Sequence, residues 1–195
     1  MVKMHTPFSA CSGYVDKICV ATIGAAFFGA SASVGALFYF GSILMIITFC
    51  GHSDYIETKQ DEEKILNFLT QTVKDSPAEL YLGGYGAFDS FALKCGKKYK
   101  QAHPNTKLIF VTPYLTDNYQ KNYLEHQKAL YDELIYPELE KVPLKLAISY
   151  RNKWMVEKAD NIVAYIDHNH GGAYKTYKYA IKNNKPVFNL TDKKF

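Results

Sequence analysis

The sequence lacks the patterns that mark a metal-binding, disulfide-stabilised or repeat protein. No C-x-x-C pair, no histidine at zinc-finger spacing and no internal repeat is present. A strong charge of one sign is also missing, because 23 Lys and Arg stand against 19 Asp and Glu. The lysines are scattered among carboxylates, which argues against a nucleic-acid-binding stripe. The four cysteines favour a reducing compartment and are Cys11, Cys19, Cys50 and Cys95.

What is present is enough apolar material for one globular core. The 195 residues are 48% hydrophobic and only 22% charged, which excludes a disordered chain. Sixteen tyrosines and twelve phenylalanines add an aromatic load that a linker or an acidic tail would not carry. The length predicts one folded domain, at most two.

The first 44 residues differ in composition from the rest. No charged residue occurs from Ile18 to Leu44, so we divide the chain into an apolar extension, 1–44, and a domain, 45–195. The extension is long enough for a membrane-anchoring helix. It also resembles a signal peptide, with "ASA" at 30–32 as a cleavage pattern. As a third alternative, it is extra translated sequence before a natural start at Met45.

Short apolar runs alternate with amphipathic stretches of helix length in the second part of the chain. This alternation predicts an α/β fold, a Rossmann-like three-layer sandwich with a mostly parallel sheet of about five strands. The predicted strands are 45–50, 78–84, 107–112, 161–166 and 186–190, and the predicted helices are 59–75, 87–102, 144–159 and 173–184.

Residues 113–143 are the least regular part of this domain. We expect a helix around 119–134. The following stretch, "YPELEKVP", cannot be one uninterrupted helix because it contains Pro137 and Pro143.

Three loops are expected at the carboxyl edge of the sheet, where parallel sheets bind ligands. They are 51–57, 83–90 and 167–176, and each contains glycine at a strand-to-helix corner. Backbone amides at helix starts attract anions, and glycine lets a phosphate approach them. Singly, each loop can also be explained as a tight corner with a helix-capping side chain. Together they predict a shared cleft, with ligand-binding residues Gly51, His52, Ser53, Gly83, Gly84, Gly86, Gly171 and Gly172.

Known nucleotide motifs match these loops only in part. "GYGAFD" at 84–89 is G-x-G-x-x-G with Asp89 in place of the last glycine, so Asp89 either accepts from ribose hydroxyls or complements a helix dipole. "GGAYKT" is not a Walker A loop, because the glycine before the lysine is missing. Further candidate ligand contacts are Arg151, Asn152, Lys175 and Thr176.

No metal site and no cofactor are predicted. His52, His168 and His170 could share a metal ion only if the first and fourth predicted strands were neighbours. No acidic ligand accompanies them at a convincing spacing.

Three segments of the chain resemble the SLOG superfamily, the Rossmann-like group that joins the DprA/Smf proteins to the LOG phosphoribohydrolases. They are "MIITFCGHSDY", "LYLGGYGAFDSFA" and "YRNKWMVEKADNIVAYIDHNHGGAYKTYKYAIKNNKPVFNL". The likeness covers about residues 45–190 and is strongest to small bacterial proteins of the YspA/YpsA type. It implies a nucleotide-related ligand.

LOG enzymes cleave the N-glycosidic bond of nucleoside 5′-monophosphates with an arginine and with a glutamate that follows a "PGGxGT" loop. Arg151 matches the place of that arginine. The glutamate is absent, since Tyr177, Lys178 and Tyr179 follow Thr176. Hydrolysis would therefore need Asp89 as a substitute acid or base.

The sequence thus predicts a cytoplasmic protein that binds a nucleotide or nucleotide-derived ligand, and it leaves open whether this binding serves sensing. One alternative is a LOG-like phosphoribohydrolase with Arg151 and Asp89 as catalytic residues, and another is a membrane-tethered interaction module. We expect no nucleic-acid partner, membrane contact only through 18–44, and leave a homodimer open.

Overall fold

The computed structural model describes residues 2–4, 44–191 and 193 of the chain. The predicted apolar extension therefore lies outside the described residues, apart from 2–4 and 44. Over those described ranges, no helix has both the length and the apolar character that a membrane crossing requires.

Strands and helices alternate along the domain. The strands are β1 (Val2–Met4), β2 (Met45–Gly51), β3 (Ala78–Leu82), β4 (Thr106–Val111), β5 (Glu133–Tyr136), β6 (Asn161–Tyr165) and β7 (Val187–Asn189). The helices are α1 (Lys59–Val73), α2 (Ala87–Ala102), α3 (Asp117–Tyr119), α4 (Glu125–Lys128), α5 (Ala147–Lys158) and α6 (Gly171–Lys182). A π-helical turn, Gln120–Leu124, joins α3 to α4, and a 3₁₀ turn, Leu144–Leu146, precedes α5.

The strands of the described residues belong to one parallel sheet in the order β1-β5-β4-β3-β2-β6-β7. Six of them lie between residues 45 and 189, and β1 pairs with β5 at the edge. The predicted α/β class with a parallel sheet is confirmed.

Alternate residues of the strands pack into two different layers of helices. Ile47 and Phe49 of β2 face the cluster that contains α1 and α2, through residues such as Leu69. Cys50, on the opposite face of β2, packs with Val156 of α5. The period of two residues along a strand thus produces the three-layer sandwich.

The expected helix around 119–134 is wrong in its second half. The helical segment stops at Lys128, and β5 begins at Glu133, a strand that the sequence did not reveal. The carboxylate of Asp132 accepts a hydrogen bond of 2.7 Å from the backbone N–H of Leu108 and also binds Lys100. These contacts attach the segment to β4 and α2, and tertiary pairing therefore overrides the local helical pattern.

Candidate functional site

The direction of the chain connections changes beside β2. From β2 the chain proceeds through β3, β4 and β5 on one side, and then returns to place β6 and β7 on the other. β2 is hydrogen-bonded to both β3 and β6. The loops that follow these three strands are therefore neighbours at the carboxyl edge, and they flank the point at which open parallel sheets bind ligands.

A cavity of about 360 Å³ opens between these loops and helix α5. This volume lies in the range of small-molecule sites. The structure places nine of the predicted site residues in its lining. They are Gly51, His52, Ser53, Gly83, Asp89, Arg151, Asn152, Gly171 and Gly172.

Four other predicted residues do not line the cavity. Thr176 donates to the carbonyl of Gly172 at 3.0 Å and accepts from Asn152 at 3.3 Å, so it joins α6 to α5 instead. Lys175 is exposed on α6. The remaining two, Gly84 and Gly86, shape the loop before α2.

Gly84 and Gly86 are required by the backbone and by packing. Gly84 has a φ of +73°, and a Cβ there would lie 2.5 Å from the ring of Phe110. Gly86 has a φ of +96°, and a Cβ would lie 3.0 Å from the Cα of Ser53. Both conformations favour glycine, so these two residues hold the loop close to its neighbours.

Arg151 on α5 is almost fully buried, with 1% of its surface exposed. Its Nη1 donates to the carbonyl oxygens of Gly83 and Val111, both at 2.7 Å. The side chain therefore ties α5 to the ends of β3 and β4. Its Nε makes no hydrogen bond within the described part of the chain, which leaves an unused donor beside the cavity.

Asp89 lies in the first turn of α2, directly after the loop 83–86 that follows β3. Its carboxylate accepts a hydrogen bond of 2.8 Å from the backbone N–H of Tyr85. Burial raises the pKa of Asp89 to about 6, although the positive charge of Arg151 opposes the shift. The carboxyl can therefore exchange a proton near neutral pH, as an acid or a base must.

Tyr85 is an aromatic residue in the lining of the cavity that was not predicted from the sequence. Its ring lies under the guanidinium of Arg151, 5.4 Å from centroid to Cζ, and its hydroxyl is 2.6 Å from that of Tyr119. Burial, followed by the hydrogen bond to Tyr119, raises the pKa of Tyr85, so the phenol stays neutral. Ile148 and Met155 of α5 add apolar contacts that were also missed. The high tyrosine content was the available signal, but it does not indicate which tyrosine reaches the site.

Helix α6 begins at the cavity with Gly171 and Gly172. The preceding residue, His170, makes no side-chain hydrogen bond to the first turn. A Cβ added at Gly172 would meet no atom within 4 Å. The first amides of a 12-residue helix are thus open to an approaching anion.

A cluster of His52, Asp167 and His168 adjoins this helix start. The sequence made such a cluster conditional on neighbouring first and fourth strands, and β2 and β6 are indeed paired. The rings of His52 and His168 stack with their centroids 3.5 Å apart. Burial and then the proximity of His168 lower the pKa of His52, against the influence of Asp167. The sequence showed no acidic ligand at a convincing spacing, but the structure places Asp167, the residue before His168, in the cluster.

No protein-family model and no curated protein matches the sequence. Solved structures do match in fold. DNA processing protein A (DprA) from Streptococcus pneumoniae has a TM-score of 0.55 and 15% identity, over 77% of this chain and 51% of that one. DprA from Helicobacter pylori, described for its single-stranded DNA binding mode, has a TM-score of 0.50 and 18% identity, over 76% of this chain and 66% of that one.

The chain thus spans about half the length of the first DprA and 66% of the second. At these identities the likeness concerns the fold. The Rossmann-like fold that the sequence resemblance implied is confirmed.

Proposed function

We propose that this protein binds a nucleotide or a nucleotide-derived ligand in the cavity between the loops of β2, β3 and β6. The observation that carries the proposal is the convergence of these loops, together with the start of α6, on one cavity of about 360 Å³. This position follows the general rule for open parallel sheets.

The cavity lining combines two kinds of chemistry, as a nucleotide requires. The open amides at Gly171 and Gly172 suit a phosphate, whose charge the helix dipole favours. Tyr85 and the apolar Ile148 and Met155 line the same cavity and offer surfaces for a base. The carboxylate of Asp89 lies between strand and helix, where it can accept from ribose hydroxyls.

A thermal-shift experiment on the full chain tests the proposal. The panel contains nucleoside mono-, di- and triphosphates, a dinucleotide and a single-stranded oligonucleotide. A ligand at 100 times its Kd stabilises the folded state by about 2.7 kcal/mol. We expect at least one nucleotide to give such a shift. The oligonucleotide is included because H. pylori DprA was described for binding single-stranded DNA; our expectation of no nucleic-acid partner predicts no shift from it.

The variant that tests the position of the site is Gly172→Val. Because no atom lies within 4 Å of a Cβ at this position, valine should leave the free protein folded while it fills the space in front of the amides. We expect the nucleotide shift to disappear in this variant. A shift that persists in Gly172→Val, or the absence of a shift with every nucleotide, would contradict the proposed site.

A second candidate function is hydrolysis of the N-glycosidic bond of a nucleoside monophosphate. It is favoured by one observation, the pKa of about 6 of Asp89, which suits an acid or base near neutral pH. Arg151 supports it less, because Nη1 is already engaged by two backbone carbonyls.

Chromatography of the full chain incubated with nucleoside 5′-monophosphates distinguishes the two functions. Release of free base that is lost in Asp89→Asn would support the hydrolase. Binding without base release would support the binding function.

A cytoplasmic location remains part of the proposal, since the two cysteines of the described domain, Cys50 and Cys95, are free thiols.

A further inference from the structure

Three side chains with metal-ligating atoms converge beside the cavity. His52 follows β2, and Asp167 and His168 follow β6, so the pairing of these two strands brings them together. One ligating atom of each residue lies within 4.8 Å of those of the other two. Nε2 of His52 is 3.5 Å from Oδ1 of Asp167, and Nδ1 of His168 is 2.5 Å from the same oxygen.

The buried nitrogen at the centre of this cluster lacks a hydrogen-bond partner. His52 is 4% exposed. Its Nε2 makes no hydrogen bond within residues 44–191 and lies 3.5 Å from Oδ1 of Asp167, which is itself in contact with Nδ1 of His168. Leaving a buried polar atom unsatisfied costs about 1–3 kcal/mol, so the position of Nε2 needs an explanation. A cation between Nε2 and Oδ1 would supply the missing partner.

We propose that His52, Asp167 and His168 bind a zinc ion. Two imidazole nitrogens and one carboxylate oxygen are a ligand set that zinc accepts, with the fourth position open in catalytic sites. Ligands at about 2.1 Å from a tetrahedral zinc are about 3.4 Å apart. The separation between His52 and Asp167 matches this edge. His168 would have to move roughly 1 Å from Asp167 and turn out of its stack on His52, because two stacked rings cannot both point an in-plane nitrogen at one ion. The partial exposure of His168 permits this movement.

The open position of the ion would face the cavity, because His52 and His168 both line it. The ring of His170 lies 4.0 Å from that of His168 and packs against the outer side of the cluster. The inference concerns the metal alone and does not depend on whether a nucleotide binds.

Calorimetric titration of the metal-free full chain with zinc chloride tests this inference. We expect one zinc ion per chain from this cluster. Asp167→Asn keeps the size of the side chain and removes its charge, and His168→Ala removes a partly exposed ring. Each should weaken binding roughly 100-fold or more, since even loss of an outer partner of a metal ligand costs about 10–100-fold.

The matched control is His126→Ala, which removes an exposed histidine of α4 that is not part of the cluster. It should leave zinc affinity unchanged. Cobalt substitution supplies a second readout, because a tetrahedral site gives Co²⁺ an intense visible absorption that both cluster variants should abolish. If the wild-type chain binds no zinc, or if Asp167→Asn and His168→Ala bind it as tightly as the wild type, the cluster is only an Asp–His ion pair and the inference is overturned.

Discussion

Asp89 is a buried carboxyl whose pKa is shifted towards neutral pH. Burial raises the pKa of its carboxyl from the ordinary 3.8 to about 6, and the attraction of Arg151 does not cancel the shift. Replacement by asparagine keeps an oxygen that can accept from the N–H of Tyr85. It removes the charge and the titration and replaces the other oxygen by an amide NH2.

The size and sign of the effect follow from the two pKa values. The folded state binds the proton more tightly than the unfolded state, so the free energy of unfolding falls as the pH rises from about 4 to about 6. Each pKa unit corresponds to about 1.4 kcal/mol, which gives a loss of about 3 kcal/mol by neutral pH. Asparagine does not titrate, so the free energy of unfolding of the variant does not show this loss. The stability of Asp89→Asn relative to the wild type should therefore increase by about 2.4 kcal/mol between pH 4 and pH 7, because a small part of the loss has already occurred at pH 4.

Urea unfolding of both proteins at several pH values between about 4 and 7 measures this difference. All other titrating groups are common to the two proteins and cancel to first order. A difference that stays constant with pH would refute the burial argument. A difference of the opposite sign would mean that Arg151 stabilises the carboxylate by more than burial destabilises it.

Three further substitutions test the structural roles of site residues by the same unfolding measurement. Gly84→Ala should destabilise the fold by about 2–5 kcal/mol, because it combines a positive φ with a Cβ 2.5 Å from Phe110; an unchanged midpoint would contradict this. Arg151→Met should cost about 2–6 kcal/mol, because it leaves two buried carbonyls without their donor; a loss below about 1 kcal/mol would show that water replaces it. Gly172→Ala should stabilise the free protein by about 0.4–1 kcal/mol, since a Cβ there meets nothing, and a decrease would show hidden strain.

The sequence predicted the long elements well because their apolar spacing is periodic. The helix expected at 87–102 is α2, Ala87–Ala102, and the strand expected at 45–50 is β2, which ends one residue later. β5 was not foreseen, because only the three residues "LIY" are apolar before Pro137. Its strand character depends on pairing with β4, and no local pattern carries that information.

Arg151 shows where sequence reasoning about the site stops. From the sequence, Arg151 is a candidate ligand contact that matches the place of the LOG arginine. In the structure its Nη1 is bound to two carbonyls that are 68 and 40 residues away along the chain. Contacts over such distances depend on how α5 lies against the sheet. The residue type was informative, but its partners could be found only in three dimensions.

The glycines of the three loops look alike in sequence and differ in what the fold requires of them. A Cβ at Gly51 would overlap the ring of Phe88, and one at Gly83 would lie 2.8 Å from the carboxylate of Asp89. Packing alone accounts for these glycines. Gly172 differs, because a Cβ there would meet no atom within 4 Å. Its open face is therefore not explained by the protein's own packing, and a phosphate on the amides of α6 would use that space.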